Sequence, residues 1–73
     1  MSLSFLNEQK ITIFNMKKML IENYHQIVNY QYDFIVIDFV VIRGSNLHIN
    51  EINDYNVEIV GEIKEIKTEK NWF

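Results

Sequence analysis

The chain has no cysteine, no proline and no alanine, and only two glycines in its 73 residues. Without cysteine there is no disulfide framework and no thiolate metal site, which fits a reducing compartment. Without alanine the best helix former is missing. Gly44 and Gly61 alone cannot build a glycine-rich phosphate loop. Charge is sparse and of mixed sign. Seven Lys and Arg face ten Asp and Glu, giving a net charge of −3, and no basic block suggests nucleic acid. The longest apolar stretch, Phe34 to Ile42, is interrupted by Asp38 and is far short of the roughly 20 residues a spanning helix needs. No positive region followed by an apolar core opens the chain, so no signal peptide is expected. These absences predict a cytoplasmic protein with no membrane span.

Isoleucine occurs 12 times and asparagine nine times, and ten residues are aromatic. Isoleucine loses side-chain freedom in helices and packs well on a pleated surface. Ile11 and Ile13 share one face of a first strand from Gln9 to Phe14. Asn15 to Lys17 is a turn, and Met19 and Ile21 share a face of a second strand that ends near Glu22. Asn23-Tyr24-His25 is the next turn candidate, because asparagine tolerates left-handed backbone. Phe5 to Tyr24 is the stretch where Met, Leu, Lys and Glu collect, and there a helix competes with strands.

Val28, Tyr30 and Tyr32 line one face of a third strand. The run Phe34 to Ile42 is apolar on both faces, as in a central strand covered on both sides or one bending between two layers. A subunit contact would serve equally well. Asp38 is then either an edge charge that discourages stray pairing or a buried acid with a partner, and the edge charge is the expectation. Arg43-Gly44-Ser45-Asn46 reads as a sharp turn. Leu47 and Ile49 point inward beyond it, with His48 and Asn50 outward, and the phase breaks near Glu51. Asn53-Asp54-Tyr55-Asn56 is a second strong turn. Val57, Ile59, Gly61 and Ile63 share the inner face of the last strand. Ile66 falls three residues after Ile63, which predicts a bulge near Lys64-Glu65. Gly61 leaves room for a neighbouring strand to approach.

Turn signals every 8 to 12 residues give an all-β fold. The expected architecture is an antiparallel meander of about six strands, forming a small barrel or sandwich. It fills one domain, residues 1–73, with 1–8 and 69–73 as peripheral tails. A single core in so short a chain is marginal, so a homo-oligomer, dimer or larger, is expected.

No motif carries catalytic chemistry. His25 and His48 have no partner at metal-ligand spacing. Ser45 has no strand-elbow signature and no evident base. Asn53-Asp54-Tyr55-Asn56 lacks the glycine and closing glutamate of a calcium loop. No catalytic, cofactor-binding or metal-binding residue is therefore named, no cofactor is expected, and the chain does not read as an enzyme. An enzyme would need a constellation such as Asp38, His48 and Glu51 meeting in a cleft. A nucleic-acid-binding or ligand-binding barrel, Sm-like or resembling the oligonucleotide-binding fold, would gather Lys17, Lys18, Arg43 and Lys64 beside exposed tyrosines.

Two segments nevertheless carry a resemblance. Ile42-Arg43-Gly44-Ser45-Asn46-Leu47-His48-Ile49 is followed by Val57-Glu58-Ile59-Val60-Gly61-Glu62-Ile63-Lys64-Glu65-Ile66. In that order and at that distance they resemble the YabP/YqfC sporulation protein family. Lys10-Ile11-Thr12-Ile13 with Lys17-Lys18 resembles the family's opening strand and turn, so the likeness covers roughly residues 9–68. Tyr30 to Phe39 departs from the pattern, being longer and more hydrophobic, which leaves the strand count there open. The resemblance implies a small β protein of endospore-forming bacteria, needed during spore formation, in the mother cell or the forespore. It implies no enzymatic activity and no cofactor. Another sporulation protein is a further candidate partner, and Gly44, Asn46, Leu47 and Gly61 are turn and packing positions.

Overall fold

The computed structural model describes residues 2–5 and 9–68. Seven strands form one antiparallel sheet: β1 (Ser2–Phe5), β2 (Gln9–Asn15), β3 (Lys18–Glu22), β4 (Ile27–Gln31), β5 (Phe34–Ile37), β6 (Val40–Ile52) and β7 (Asn56–Thr68). Their spatial order is β1-β2-β3-β7-β6-β5-β4. The chain is all-β, as expected, and the stretch where a helix competed forms β2 and β3. Two meanders, β1 to β3 and β4 to β7, are joined where β7 pairs with β3.

This order forces the sheet to fold over. β3 and β4 are separated in space by β7, β6 and β5, which in a flat sheet is about 19 Å at 4.8 Å per strand. The link from Glu22 to Ile27 reaches at most about 17 Å when fully extended. The sheet therefore coils, and β6 and β7 supply the bend. Residues 48–52 of β6 pair with 57–60 of β7, beside β3; residues 40–43 pair with 65–68, beside β5. The two halves of this long hairpin belong to two layers, with the core between them. Ile11, Met19, Ile21, Val57 and Ile59 face Ile35, Ile37, Val40, Ile42 and Ile63, and Leu47 sits at the bend. All are at most 2% exposed. Each such side chain contributes roughly 1.5–3 kcal/mol relative to exposure. The sheet is not closed, so the molecule is a strongly coiled relative of the barrel and sandwich forms that the strand pattern predicts.

Arg43-Gly44-Ser45-Asn46 is not a chain reversal, as its glycine and asparagine suggested. It lies within β6, where register shifts flank Gly44 and Ser45 and Asn46 takes φ 53°. The residues favoured in turns here let one strand bend without stopping. A Cβ on Gly44 would overlap the Glu62 carbonyl, and one on Gly61 (φ 137°) would lie 2.5 Å from the Asn46 carbonyl oxygen and 2.8 Å from Leu47 Cα. Gly61 thus admits a close approach, as expected. Arg43 pairs with Glu65 and Gly44 with Ile63, leaving Lys64 as the extra residue, where the bulge was expected. A third shift, between Ile49 and Glu51, matches the phase break read near Glu51.

The run Phe34 to Ile42 is also corrected. It is not one central strand but the hairpin β5–β6, reversed at Asp38-Phe39, with Ile37 opposite Val40. No glycine marks the reversal, because Asp38 itself takes φ 53°. A second tight turn at Tyr32-Asp33 joins β4 to β5, with Gln31 opposite Phe34. Both faces of the run are covered within the single chain. Val36 and Val41, opposite one another and outside the main core cluster, are 0% and 1% exposed. One strand more than expected precedes Gln9, since residues 2–5 form β1 at the sheet edge. The expected 69–73 tail, with Trp72 and Phe73, lies outside the described residues.

Candidate functional site

Asp38 is the most heavily engaged polar side chain among the described residues. Its position in a tight turn at positive φ points the carboxylate back across the open end of the coiled sheet. There it accepts hydrogen bonds from the backbone N–H of His25 (3.0 Å) and of Gln26 (3.0 Å) and from the side-chain amide of Gln9. The Asp38 N–H in turn donates to the Gln26 carbonyl (3.0 Å). Gln9 is 1% exposed and the Asp38 side chain 7%. The edge-charge expectation for Asp38 is therefore corrected: it is a buried acid with partners. A lone acid among aliphatics is paired through elements remote in sequence, so no local spacing marks it. The site ties β2, the β3–β4 link and the β5–β6 turn together. Its chemistry is that of a clasp, since every contact is a satisfied hydrogen bond.

The hairpin tips perform a related task. Backbone N–H groups of Gly61 and Ile63 donate to the carbonyls of Lys17 (3.1 Å) and Met16 (2.7 Å) in the β2–β3 turn. Those of Gly44 and Leu47 donate to Asp33 (3.1 Å) and Tyr32 (2.6 Å) in the β4–β5 turn. Each tip thus caps one side of the bend in β6–β7. The Tyr30 hydroxyl also accepts from the Ile49 N–H (2.9 Å).

A shallow groove of about 340 Å³ lies on the outer side of the β3–β7–β6 layer, lined by Phe14, Lys18, Leu20, Glu51, Asn53, Asn56 and Glu58. Glu51 and Glu58 stand directly opposite on β6 and β7, an arrangement that repels. Glu58 is compensated by Lys18 (2.9 Å) and the Asn50 side-chain amide (3.1 Å). Hydrogen bonds from Lys18 and then Asn50 hold the Glu58 carboxyl below the ordinary glutamate value. Lys18 also lies over the Phe14 ring, 5.2 Å from its centroid.

The residues weighed from sequence remain apart. The His25 ring is 75% exposed, with Nδ1 3.7 Å from the Asp38 carboxylate. His48 is exposed on β6, with Nδ1 3.2 Å from the Asn46 carbonyl. Glu51 lines the groove, while Asp38 belongs to the clasp, so the structure does not assemble Asp38, His48 and Glu51. Ser45 sits in the β6 bend. Among the described residues no three or more of His, Asp and Glu are grouped to hold a metal ion. Of Lys17, Lys18, Arg43 and Lys64, the four cations a basic groove would gather, Lys18 and Arg43 are taken up by separate acids and rings. Arg43 pairs with Glu65 (3.6 Å) and lies 4.6 Å from the Phe34 ring centroid, so each of these two has its own acid and its own ring. No helix among the described residues is long and apolar enough to cross a membrane.

No curated protein and no solved structure matches the chain. A family model described as the YabP family matches residues 6–71. That span runs from before β2 to beyond β7 and includes both segments on which the resemblance rests, Ile42–Ile49 in β6 and Val57–Ile66 in β7. Gly44 and Gly61, the two positions where a side chain would strike backbone, lie within them, and with nine-tenths of its length so matched the chain belongs to the YabP family.

Proposed function

We propose that this protein is a non-enzymatic, sporulation-associated structural or adaptor module of an endospore-forming bacterium, acting in the cytoplasm of the mother cell or forespore through protein–protein contacts. Membership of the YabP family supports the sporulation setting. The observation that carries the contact role is the open sheet, which ends in strands with no neighbouring strand on their outer side among the described residues. Such edges are ready-made templates for another chain. The polar groups of the best-built site are spent on holding the fold together, which fits a binding rather than a chemical role. Self-association is the first contact to look for, because a chain of this size buries little surface alone.

The test is genetic. A fluorescent fusion at the native locus of a spore-forming host is expected to appear only after sporulation begins, and deletion to lower the yield of heat-resistant spores. Constant production during vegetative growth with an unchanged spore yield would overturn the proposal.

A further inference from the structure

Resting on that reading, we infer that the outer edge of β4 (Ile27–Gln31) is the self-association surface, pairing antiparallel with β4 of a second copy about a two-fold axis near Asn29. Among the described residues β4 is the last strand in the sheet and has β5 on one side only. The unpaired stretches of β6 and β7 are managed. The free side of β6 is capped by Tyr30 and Tyr32, and that of β7 by Met16 and Lys17. Beyond the cap, β7 carries exposed Lys64, Glu65 and Lys67, the charges that discourage stray pairing. From Gln26 to Tyr32 there is no charged side chain, no glycine and no proline. The one blunting device is a register shift at Val28, which leaves Asn29 to Gln31 in regular register.

The occupant follows from the strand's own sequence. Reversed on itself about Asn29, β4 sets Val28 against Tyr30 and Ile27 against Gln31. The first is a β-branched–aromatic pair of the favourable cross-strand kind. No like charges meet along the contact, although each copy carries a net −3. Exposed Tyr30 and Tyr32 flank the seam. Pairing β4 with β4 closes after two copies, whereas pairing β4 with the opposite edge, β1, would propagate without end. A five-residue strand with Tyr30 in it and Tyr32 beside it falls short of the roughly 800 Å² per partner of a stable interface, so the dimer is a weak one.

Sedimentation equilibrium from low micromolar to submillimolar concentration tests this with the full chain, N29K, N29D and their equimolar mixture. The expected result is a monomer–dimer equilibrium for the unaltered chain, weakened about tenfold or more in each variant alone and regained in the mixture, where opposite charges meet at the axis. Dimerisation of both variants at full strength would overturn the β4 assignment while leaving self-association standing. A monomer throughout for the unaltered chain would remove self-association itself, and species beyond a dimer would overturn the two-fold closure. Should the variants lose their β-type circular dichroism, amide exchange on the unaltered chain decides. Slowing with concentration is expected in β4, and slowing confined to β1 or β7 would refute the assignment.

Discussion

Asp38 and Gln9, 29 residues apart in sequence, meet through a side-chain hydrogen bond where β2 passes the β5–β6 turn. Two backbone N–H groups of the β3–β4 link reach the same carboxylate, so one side chain holds three otherwise separate elements. Hydrogen bonds to a charged group contribute about 1.5–3 kcal/mol each in favourable cases. Asp38→Ala is expected to destabilise by about 3 kcal/mol or more. Asp38→Asn tolerates the left-handed backbone and keeps one acceptor, and is expected to lose about half as much. Urea denaturation followed by circular dichroism checks both, and a parent-like Asp38→Asn beside a destabilised Asp38→Ala would show that backbone conformation, not the clasp, sets the effect.

Gly61→Ala places a methyl group against the backbone of Asn46 and Leu47 at φ 137°. Backbone cannot swing aside as a side chain can, so the loss is expected to exceed about 3 kcal/mol. A 73-residue domain has roughly 4–11 kcal/mol of stability in all, so this variant is expected to melt far below the parent. A melting curve like that of the parent would refute the close approach.

Glu58 links stability to acid. Its folded carboxyl titrates below the ordinary value of 4.5, because the charged form is held by Lys18 and Asn50. A depressed folded value means the contribution is present above pH 4.5 and is lost as pH falls through the folded value. Glu58→Gln is expected to flatten that part of the stability profile as pH falls below 4.5, and Lys18→Met to shift the Glu58 titration upward. Nuclear magnetic resonance titration of the side-chain carboxyl reads the second effect directly. An unshifted titration in Lys18→Met would show that the ion pair does not persist in solution.

Ile59 is fully buried in the layer that faces the β5–β6 hairpin. Ile59→Val is expected to cost about 0.5–1.5 kcal/mol and Ile59→Ala about 2–5 kcal/mol. Equal small losses in the two variants would place this residue at a loose margin rather than in the core.

The second half of the fold was legible because its aliphatics alternate. Val57, Ile59 and Ile63 announce their face, and the three-residue step to Ile66 locates the bulge at Lys64. The middle resisted. Asp38 and Phe39 reverse the chain with neither glycine nor proline, and the flanking residues are apolar on both faces, so periodicity carries no mark of the reversal. Conversely, Gly44 and Asn46 have the chemistry of a turn, yet serve a bend inside β6. Local propensity cannot distinguish these cases, because the difference lies in the Asp33, Tyr32 and Glu62 carbonyls that meet this segment from elsewhere. The clasp was illegible for the same reason. Its members, Gln9, His25, Gln26 and Asp38, come from three regions of the chain and converge only once the sheet has coiled.

The β6–β7 hairpin runs the full depth of the molecule, and this leaves it without a seam. A cut at Asn53-Asp54 would divide the ribbon lengthwise, taking from both walls the one strand, β7, that joins β3 to β6. Neither fragment is expected to fold by itself, and denaturation is expected to proceed in a single cooperative step rather than wall by wall.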